Sequence, residues 1–270
     1  MQIGAMVQLG KDVKDGFKQL KEVGLSSCQL CGWDESLFTS DIAKNIVSLT
    51  KEMGITISTF WCGYPGPKVW DFYEGQQTLG LVPPEYRYIR AAALKQGSDF
   101  AKLLGVKQIA THAGYIPENP NDPNYHGVLA ALRDVVNHCK KNKQIFLFET
   151  GQETPVTLRR LMEDLGNKNV GINLDPANLL LYGKANPVDA LDVFGTYVRD
   201  IHAKDGEYPT DGRNLGEEKP LGEGRVNFPK LIARLKELGY DGPITIEREI
   251  TGAQQKKDIL KAIEILKKLI

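Results

Sequence analysis

The amino-acid sequence predicts one domain, residues 1–270, folded as a (β/α)₈ barrel of the TIM type. Strand-like and helix-like segments alternate along the whole chain, the strand-like segments number eight, and no linker or low-complexity tract separates them. Barrels of about 250 residues commonly fold as one unit, so the length agrees with this architecture. An open, doubly wound sheet is the alternative fold, but eight units and the lack of a Gly-x-Gly-x-x-Gly turn after the first strand favour closure into a barrel.

Each predicted strand is a short apolar run that ends at a polar loop. Because strands and helices alternate, the strands are expected to lie parallel and to be covered by helices. The predicted strands span residues 3–9, 27–32, 55–63, 106–114, 144–151, 170–178, 198–205 and 243–249.

Amphipathic segments separate the strands, and five of them end at a glycine, which accepts the left-handed conformation found after a helix C-terminus. The predicted helices span residues 12–24, 41–54, 89–105, 127–142, 154–166, 186–198, 227–239 and 256–270.

Two connections are longer than the others, residues 63–86 and 206–226. Both follow strand C-terminal ends, where barrel enzymes build their sites, so each is predicted to be a lid or substrate loop, or else a tolerated insertion.

The charges of the chain balance, with 34 Lys and Arg residues against 34 Asp and Glu residues. No overall field would therefore attract nucleic acid or an anionic membrane. The first residues lack the pattern of a signal peptide, and no run of about 18 apolar residues predicts a membrane span, so we expect a cytoplasmic protein. A homo-oligomer is left open.

Four cysteines are too few for a disulfide framework in a chain of this length, and they are expected to be reduced. Cys28 and Cys31 have the spacing of a zinc knuckle, but no second pair completes four ligands. Their predicted strand would also direct the two side chains to opposite faces. We therefore expect no metal at this pair.

Four polar residues end the last four predicted strands: Glu149, Asp175, His202 and Glu247. Neighbouring strands of a barrel would bring these side chains together at its mouth. Three carboxylates so close together would repel one another unless a cation compensated them. This oxygen-rich set predicts one divalent ion, with Mn²⁺ as the first expectation and Mg²⁺, Co²⁺ or Zn²⁺ as alternatives. Each residue alone has an ordinary structural explanation, and the joint pattern carries the prediction.

The segments FLFETG, INLDPAN, DIHAKD and PLGEGRVNFPKLIARLKELGYDGPITIERE resemble the xylose-isomerase-like barrel superfamily of sugar isomerases and epimerases, including ketose 3-epimerases. The resemblance implies the same four metal ligands and assigns Glu149 and Glu247 a second role as acid/base groups. Many epimerase relatives place a substrate-contacting histidine three residues after the aspartate ligand, where this chain has Asn178. Asparagine can bind a hydroxyl but cannot act as an acid near neutral pH.

Four further residues are candidate substrate contacts. His112 ends the fourth predicted strand, and its imidazole is expected beside the metal cluster, with a structural histidine as the alternative. Arg213 lies in the second long connection and has donors for a hydroxyl or phosphate, although an arginine in a loop is ordinarily solvated. Trp33 and Trp61 follow the second and third strands, where an indole can pack on a sugar or on the core.

These observations predict a metal-dependent isomerase or epimerase of a small sugar or sugar phosphate that acts through an enediolate. The alternatives are a sugar-acid or inositol dehydratase on the same site, a nuclease similar to endonuclease IV, and a noncatalytic sugar-binding barrel. The nuclease chemistry uses a three-zinc cluster rich in histidine, whereas this chain has four histidines. A barrel that only bound a sugar would not need two glutamates at the metal, which argues against the noncatalytic alternative.

Overall fold

The computed structural model describes residues 1–10 and 12–270. Eight parallel strands form a closed barrel, which confirms the predicted fold. The ring order is β1, β10, β7, β6, β5, β4, β3, β2, and β1 pairs with both β10 and β2. The barrel strands are β1 (Gln2–Gln8), β2 (Ser27–Gly32), β3 (Thr56–Cys62), β4 (Gln108–Thr111), β5 (Ile145–Glu149), β6 (Val170–Leu174), β7 (Val198–Ala203) and β10 (Pro243–Ile246).

Helices cover the outside of the barrel. They are α1 (Val13–Glu22), α2 (Ser40–Met53), α3 (Gly75–Thr78), α4 (Pro84–Leu103), α5 (Pro123–Lys141), α6 (Pro155–Leu165), α7 (Pro176–Leu181), α8 (Pro187–Phe194), α9 (Phe228–Glu237) and α10 (Ala253–Leu269). Gly54 and Gly166 end α2 and α6 in the left-handed conformation, with φ of 61° and 68°. No helix in the described part of the chain is long and apolar enough to cross a membrane.

Several strands end earlier than the sequence predicts. The sixth was predicted to reach residue 178, but β6 ends at Leu174 and α7 begins at Pro176. Proline fits the first turn of a helix, and Asp175 caps this helix by accepting a hydrogen bond from the Asn178 amide at 2.8 Å. The orientation of the Asp175 side chain is therefore set by its role as a helix cap and not by strand alternation.

The core has two parts. Most buried apolar side chains pack between the strands and the helices, and a smaller cluster of Cys31, Trp61, Ala110 and Leu147 fills the barrel interior. Cys28 lies in the outer part and Cys31 in the inner one, as strand alternation predicts. The two side chains therefore lie on opposite faces of β2, and neither forms a disulfide.

The two long connections have different structures. The first contains α3 and runs along the mouth between β3 and α4. The second contains a short antiparallel pair, β8 (Asp205–Gly206) and β9 (Glu218–Lys219).

Candidate active site

The four predicted metal ligands meet at the C-terminal mouth of the barrel. Glu149 is the last residue of β5, Asp175 follows β6, His202 lies in β7, and Glu247 follows β10. One ligand atom from each residue lies within 4.8 Å of all the others. Because β5, β6, β7 and β10 are consecutive neighbours in the ring, the fold brings together residues almost one hundred positions apart in sequence.

The His202 imidazole is directed at the three carboxylates. Its Nδ1 lies 3.0 Å from Glu247 Oε2, 3.3 Å from Glu149 Oε1 and 3.5 Å from Asp175 Oδ2. Neither His202 Nδ1 nor Asp175 Oδ2 has a hydrogen-bond partner, although both atoms are buried. Buried polar atoms are normally paired, so two orphaned atoms that face each other are what a cation-binding site requires.

Two amides hold the other side of the His202 ring. Its Nε2 lies 3.0 Å from Gln29 Oε1 and 3.0 Å from Asn173 Nδ2. Gln29 also donates to Asn173 Oδ1 at 3.0 Å, which fixes both amides. When Nε2 carries the proton and donates it to Gln29, the lone pair of Nδ1 is free for a metal ion.

The electrostatics of the cluster show two opposing effects. Burial raises the pKa of the Glu149 carboxyl, but His112 and His202 outweigh it and hold that pKa well below its usual range. Burial also raises the pKa of the Glu247 carboxyl, but the charges of Lys204 and His202 outweigh it and lower this pKa to about 2. Burial lowers the pKa of His202, yet Glu247 and Glu149 raise it well above its usual value. The cluster therefore keeps Glu149 and Glu247 ionised and attracts positive charge.

Two predicted substrate contacts lie against Glu149. His112 Nε2 is 3.3 Å from Glu149 Oε1, and the Trp61 indole donates to Glu149 Oε2. Trp33 packs on Trp61 with ring centroids 4.9 Å apart and is partly exposed at the mouth. These three side chains form one wall beside the carboxylate, and their contact with a substrate stays a prediction.

The other two predicted substrate contacts, Asn178 and Arg213, lie in different surroundings. Asn178 is buried beside the cluster, where its Oδ1 lies 3.3 Å from Lys204 Nζ. Arg213 is exposed at the tip of the second long connection, and among the described residues its side chain contacts no member of the cluster. Its proposed role in substrate binding therefore depends on movement of that connection.

Sequence reasoning missed Lys204, which is buried among the ligands. Its Nζ lies 3.3 Å from Glu247 Oε2, 3.5 Å from Asp175 Oδ2 and 3.1 Å from Glu249 Oε1. Burial lowers the pKa of this ammonium, but the three carboxylates raise it well above its usual value. Strand alternation could have predicted this position. Lys204 comes two residues after His202, so its side chain points to the same face of the strand.

Trp70, in the first long connection, was also missed. Its ring lies 5.2 Å from the His112 ring and is 40% exposed, so it forms part of the rim of the mouth. No local pattern in the sequence distinguishes this tryptophan from the other aromatic residues of the loop.

Comparisons with known proteins agree with this fold. A xylose isomerase domain protein from Planctomyces limnophilus is 34% identical, has a TM-score of 0.93, and is matched over 99% of this chain and 96% of its own. An uncharacterized protein from Methanocaldococcus jannaschii is 31% identical over 166 residues, which are 61% of this chain and 47% of that protein, so the match spans about half of the relative. A D-tagatose 3-epimerase-like protein is 21% identical with a TM-score of 0.76, over 100% of this chain and 97% of its own.

More distant structures share the fold. A probable 3-DHS dehydratase from Bacillus anthracis is 16% identical with a TM-score of 0.71, over 98% of both chains. A barrel from Mycobacterium smegmatis in complex with magnesium is 17% identical with a TM-score of 0.70, over 97% of this chain and 96% of its own. Residues 17–269 match the family described as xylose isomerase-like TIM barrel. The chain therefore belongs to the xylose isomerase-like TIM barrel family.

Proposed function

We propose that this protein is a divalent-metal-dependent isomerase or epimerase of a small sugar or sugar phosphate that acts through an enediolate, with the cytoplasm as its expected location. The observation that carries the proposal is the cluster of four ligand groups at the mouth of the barrel. In this cluster, His202 Nδ1 and Asp175 Oδ2 are buried and have no hydrogen-bond partner. The likeness to a D-tagatose 3-epimerase-like protein supports the reaction class.

The donor set fits one divalent ion held by Glu149, Asp175, His202 and Glu247. Three carboxylates and one imidazole favour Mn²⁺ or Mg²⁺ and are compatible with Co²⁺ or Zn²⁺. The magnesium bound by the M. smegmatis relative supports a hard or borderline ion. Such an ion supplies Lewis acidity that stabilises negative charge on a substrate oxygen.

The positions of the two glutamates support proton transfer from different sides. Glu149 and Glu247 end β5 and β10, which are separated in the ring by β6 and β7. A substrate that lies over the cluster therefore has one carboxylate on each flank. One glutamate removes the proton beside the carbonyl group, and return of a proton to the opposite face of the same carbon inverts the centre. Return to the neighbouring carbon exchanges aldose and ketose.

Neighbouring groups hold each glutamate as an ionised carboxylate in a fixed position. Trp61 and His112 contact Glu149, while Lys204 contacts Glu247, so both carboxylates are held in fixed orientations. Fixed acceptors avoid the reorganisation that water would require, and a wall of indole rings limits access of water to the reacting carbon.

A dehydratase is the second candidate. The same proton removal can expel a hydroxyl group from the next carbon, and the probable 3-DHS dehydratase shares the fold. A nuclease with a histidine-rich zinc cluster fits poorly, because His126 and His138 lie on α5, away from the four ligands. A noncatalytic sugar-binding barrel would not need two opposed carboxylates.

The test replaces Glu149 or Glu247 with glutamine, which keeps the shape but cannot accept the proton as a carboxylate does. A panel of aldoses, ketoses and their phosphates in D₂O, followed by NMR, gives turnover and solvent deuterium incorporation. With Mn²⁺ in excess, each variant should lose turnover by a factor of at least about 10². Metal content per chain is measured on the same samples.

Glu163→Gln is the matched control, because Glu163 is an exposed glutamate on α6. It should retain parental turnover. Parental rates in both metal-loaded site variants would remove the acid/base assignment, and a parent that binds no divalent ion would remove the metal site.

A further inference from the structure

Two amides hold the far side of the His202 ring, and by themselves they do not decide which ring nitrogen carries the proton. His202 Nε2 lies 3.0 Å from Gln29 Oε1, which is an acceptor, and 3.0 Å from Asn173 Nδ2, which is a donor. A protonated Nε2 suits the first contact, and an Nε2 lone pair suits the second. In neutral histidine, only the form with the proton on Nε2 presents a lone pair at Nδ1, the atom that faces the three carboxylates. A third group therefore has to fix the proton.

Asp200 lies behind these amides in the barrel interior. It comes two residues before His202 on β7, so the two side chains point to the same face, and it is opposite Asn173 in the register of β6 and β7. Burial raises the pKa of the Asp200 carboxyl, whereas hydrogen bonds from Thr59 and Gln29 lower this pKa. The carboxyl is therefore within reach of the Gln29 amide.

The donors to Asp200 are uncharged. Its two oxygens accept hydrogen bonds from one backbone amide and three hydroxyl groups: Ile201 at 2.9 Å, Ser58 at 2.9 Å, Thr59 at 2.7 Å and Thr245 at 3.3 Å. Among the described residues, no lysine or arginine forms an ion pair with Asp200, and the positive charge that lowers its pKa is that of His202. A fully buried carboxylate without a basic partner is costly, so its presence points to a role beyond packing.

The contacts of this carboxyl suit its ionised form. Gln108 Nε2 donates to Thr59 Oγ1 at 3.3 Å, so the Thr59 hydroxyl directs its own hydrogen to Asp200 Oδ2. The Ile201 amide, which can only donate, contacts Asp200 Oδ1. Each oxygen thus accepts from a fixed donor, and an ionised carboxylate is an acceptor at both oxygens.

We propose that Asp200 is a positioning residue of the metal site, which acts through the Gln29 amide to hold the His202 proton at Nε2 and leave the Nδ1 lone pair for the metal ion. This inference rests on the metal site of the proposed function and not on the reaction. Gln29 Nε2 donates one hydrogen to Asn173 Oδ1 at 3.0 Å, and its second hydrogen is available to Asp200. With its nitrogen engaged by these two acceptors, Gln29 presents Oε1 to His202 as an acceptor.

The charge of Asp200 acts in the same direction. A negative charge behind the amides attracts the positive end of the Nε2–H bond and disfavours a lone pair at that nitrogen, and burial strengthens this interaction. Histidine ligands of metal ions commonly donate their other ring N–H to a carboxylate or a carbonyl oxygen, which fixes the ring and increases its basicity. Here one amide lies between the imidazole and the carboxylate.

The alternative role of Asp200 is purely structural, because its hydroxyl partners come from β3 and β10 and connect these strands to β7. That role does not involve Gln29. Exchange of the carboxylate and the amide between the two positions separates the roles. Asp200→Asn removes the charge, and Asp200→Asn combined with Gln29→Glu restores the charge in direct contact with His202.

The test measures Mn²⁺ binding by calorimetry to the metal-free full chain and its variants. Asp200→Asn should bind Mn²⁺ at least about tenfold more weakly than the parent, and the double variant should return to within about threefold of the parent. Gln29→Met leaves the hydroxyl contacts of Asp200 in place and should weaken binding as Asp200→Asn does. Asp41→Asn, at an exposed aspartate on α2, is the matched control and should bind as the parent does.

Nuclear magnetic resonance of the Zn²⁺-loaded, ¹⁵N-histidine-labelled protein gives a readout that strand packing would not change. The His202 Nε2–H should exchange slowly with solvent in the parent and in the double variant, and faster in Asp200→Asn. Unfolding curves in EDTA measure the structural contribution, because a loss of stability that both Asp200 variants share belongs to the hydroxyl contacts.

Parental Mn²⁺ affinity in Asp200→Asn or in Gln29→Met would overturn the inference. Equally weak binding by Asp200→Asn and the double variant would also overturn it, since only the structural role would then be left. A parent that binds no divalent ion would remove both this inference and the metal site. A parent whose Mn²⁺ binding depends on Asp200 as expected, but which exchanges no deuterium into a sugar, would keep the positioning role while the proposed reaction fails.

Discussion

The two long connections at the mouth, residues 63–83 and 204–227, both follow barrel strands, but their backbones are held in different ways. A single buried arginine organises the first. Arg90 on α4 donates from Nε to the Pro65 carbonyl at 3.0 Å, from Nη1 to the Gly80 carbonyl at 2.7 Å, and from Nη2 to the Pro67 carbonyl at 2.7 Å. Its guanidinium also lies 4.6 Å from the centre of the Tyr64 ring.

The second connection is fixed at its base and by the Gly216 amide, which donates to the Leu181 carbonyl at 2.9 Å. Asp205 accepts hydrogen bonds from the backbone amides of Gly222, Gly224 and Val226 at 2.9, 3.2 and 3.1 Å. Beyond the β8–β9 pair, most residues from 208 to 214 are exposed.

The difference teaches that length and position do not define a lid. Arg90 of α4 binds three carbonyls of the first connection, which places Trp70 against His112, so this connection acts as a fixed wall of the site. The second leaves its tip, including Arg213, in solvent. Segments with few buried contacts open at the lowest free energy, so the second connection is the one suited to closing.

The largest expected effect comes from removing the arginine that holds the wall. Arg90→Met leaves three carbonyls without their donor and should lower the free energy of unfolding by at least about 3 kcal/mol. Denaturant unfolding measures this loss. Arg213→Met, at the exposed tip, is the matched control and should change stability by less than about 0.5 kcal/mol. Equal effects of the two substitutions would contradict the distinction between the connections.

A smaller effect is expected at the base of the second connection. Asp205→Asn turns one acceptor into a donor that faces backbone N–H groups, so the free energy of unfolding should fall by about 2 kcal/mol. Amide hydrogen exchange should accelerate at residues 222–226 and stay unchanged at residues 63–83. Unchanged exchange at both would show that the β8–β9 pair holds the base without Asp205.

The smallest effect needs no substitution. In the free protein, amides 208–214 should exchange almost without protection, whereas those near Gly80, whose amide donates to the Tyr64 hydroxyl at 2.9 Å, should exchange slowly. Addition of Mn²⁺ and a bound sugar or polyol should protect residues 206–225 and leave residues 63–83 nearly constant. A gain of protection in the first connection alone would reverse the assignment of wall and lid.

The fold and the metal cluster were accessible from sequence for the same reason. Apolar runs of strand length bounded by turns specify each strand locally, and eight such units close in one way. A polar residue at the end of each of four consecutive strands then has to reach one place, as Glu149 and Glu247 do. Asp175 lies in the same cluster for a different local reason. Pro176 begins a helix and ends the strand early, and the Asp175 side chain caps that helix.

The residues that escaped prediction depend on partners far away in sequence. Lysine is normally solvated, and Lys204 is buried because Glu247 and Glu249 come from another strand end. Aspartate is ordinarily exposed, and Asp200 is buried because its hydroxyl donors come from β3 and β10. Its contacts with these strands have no local signal.

The sequence by itself determined the order of elements, the closure into a barrel and the four residues that cluster at its mouth, because these follow from short-range patterns repeated eight times. The tertiary structure alone decided which polar atoms stay unpaired, which loop is a wall, and how the ligands are oriented. His202, for example, is held by Gln29 from 173 positions away. Hydrogen-bond pairing and burial are properties of the assembled packing, and no local pattern encodes the partners that distant segments supply.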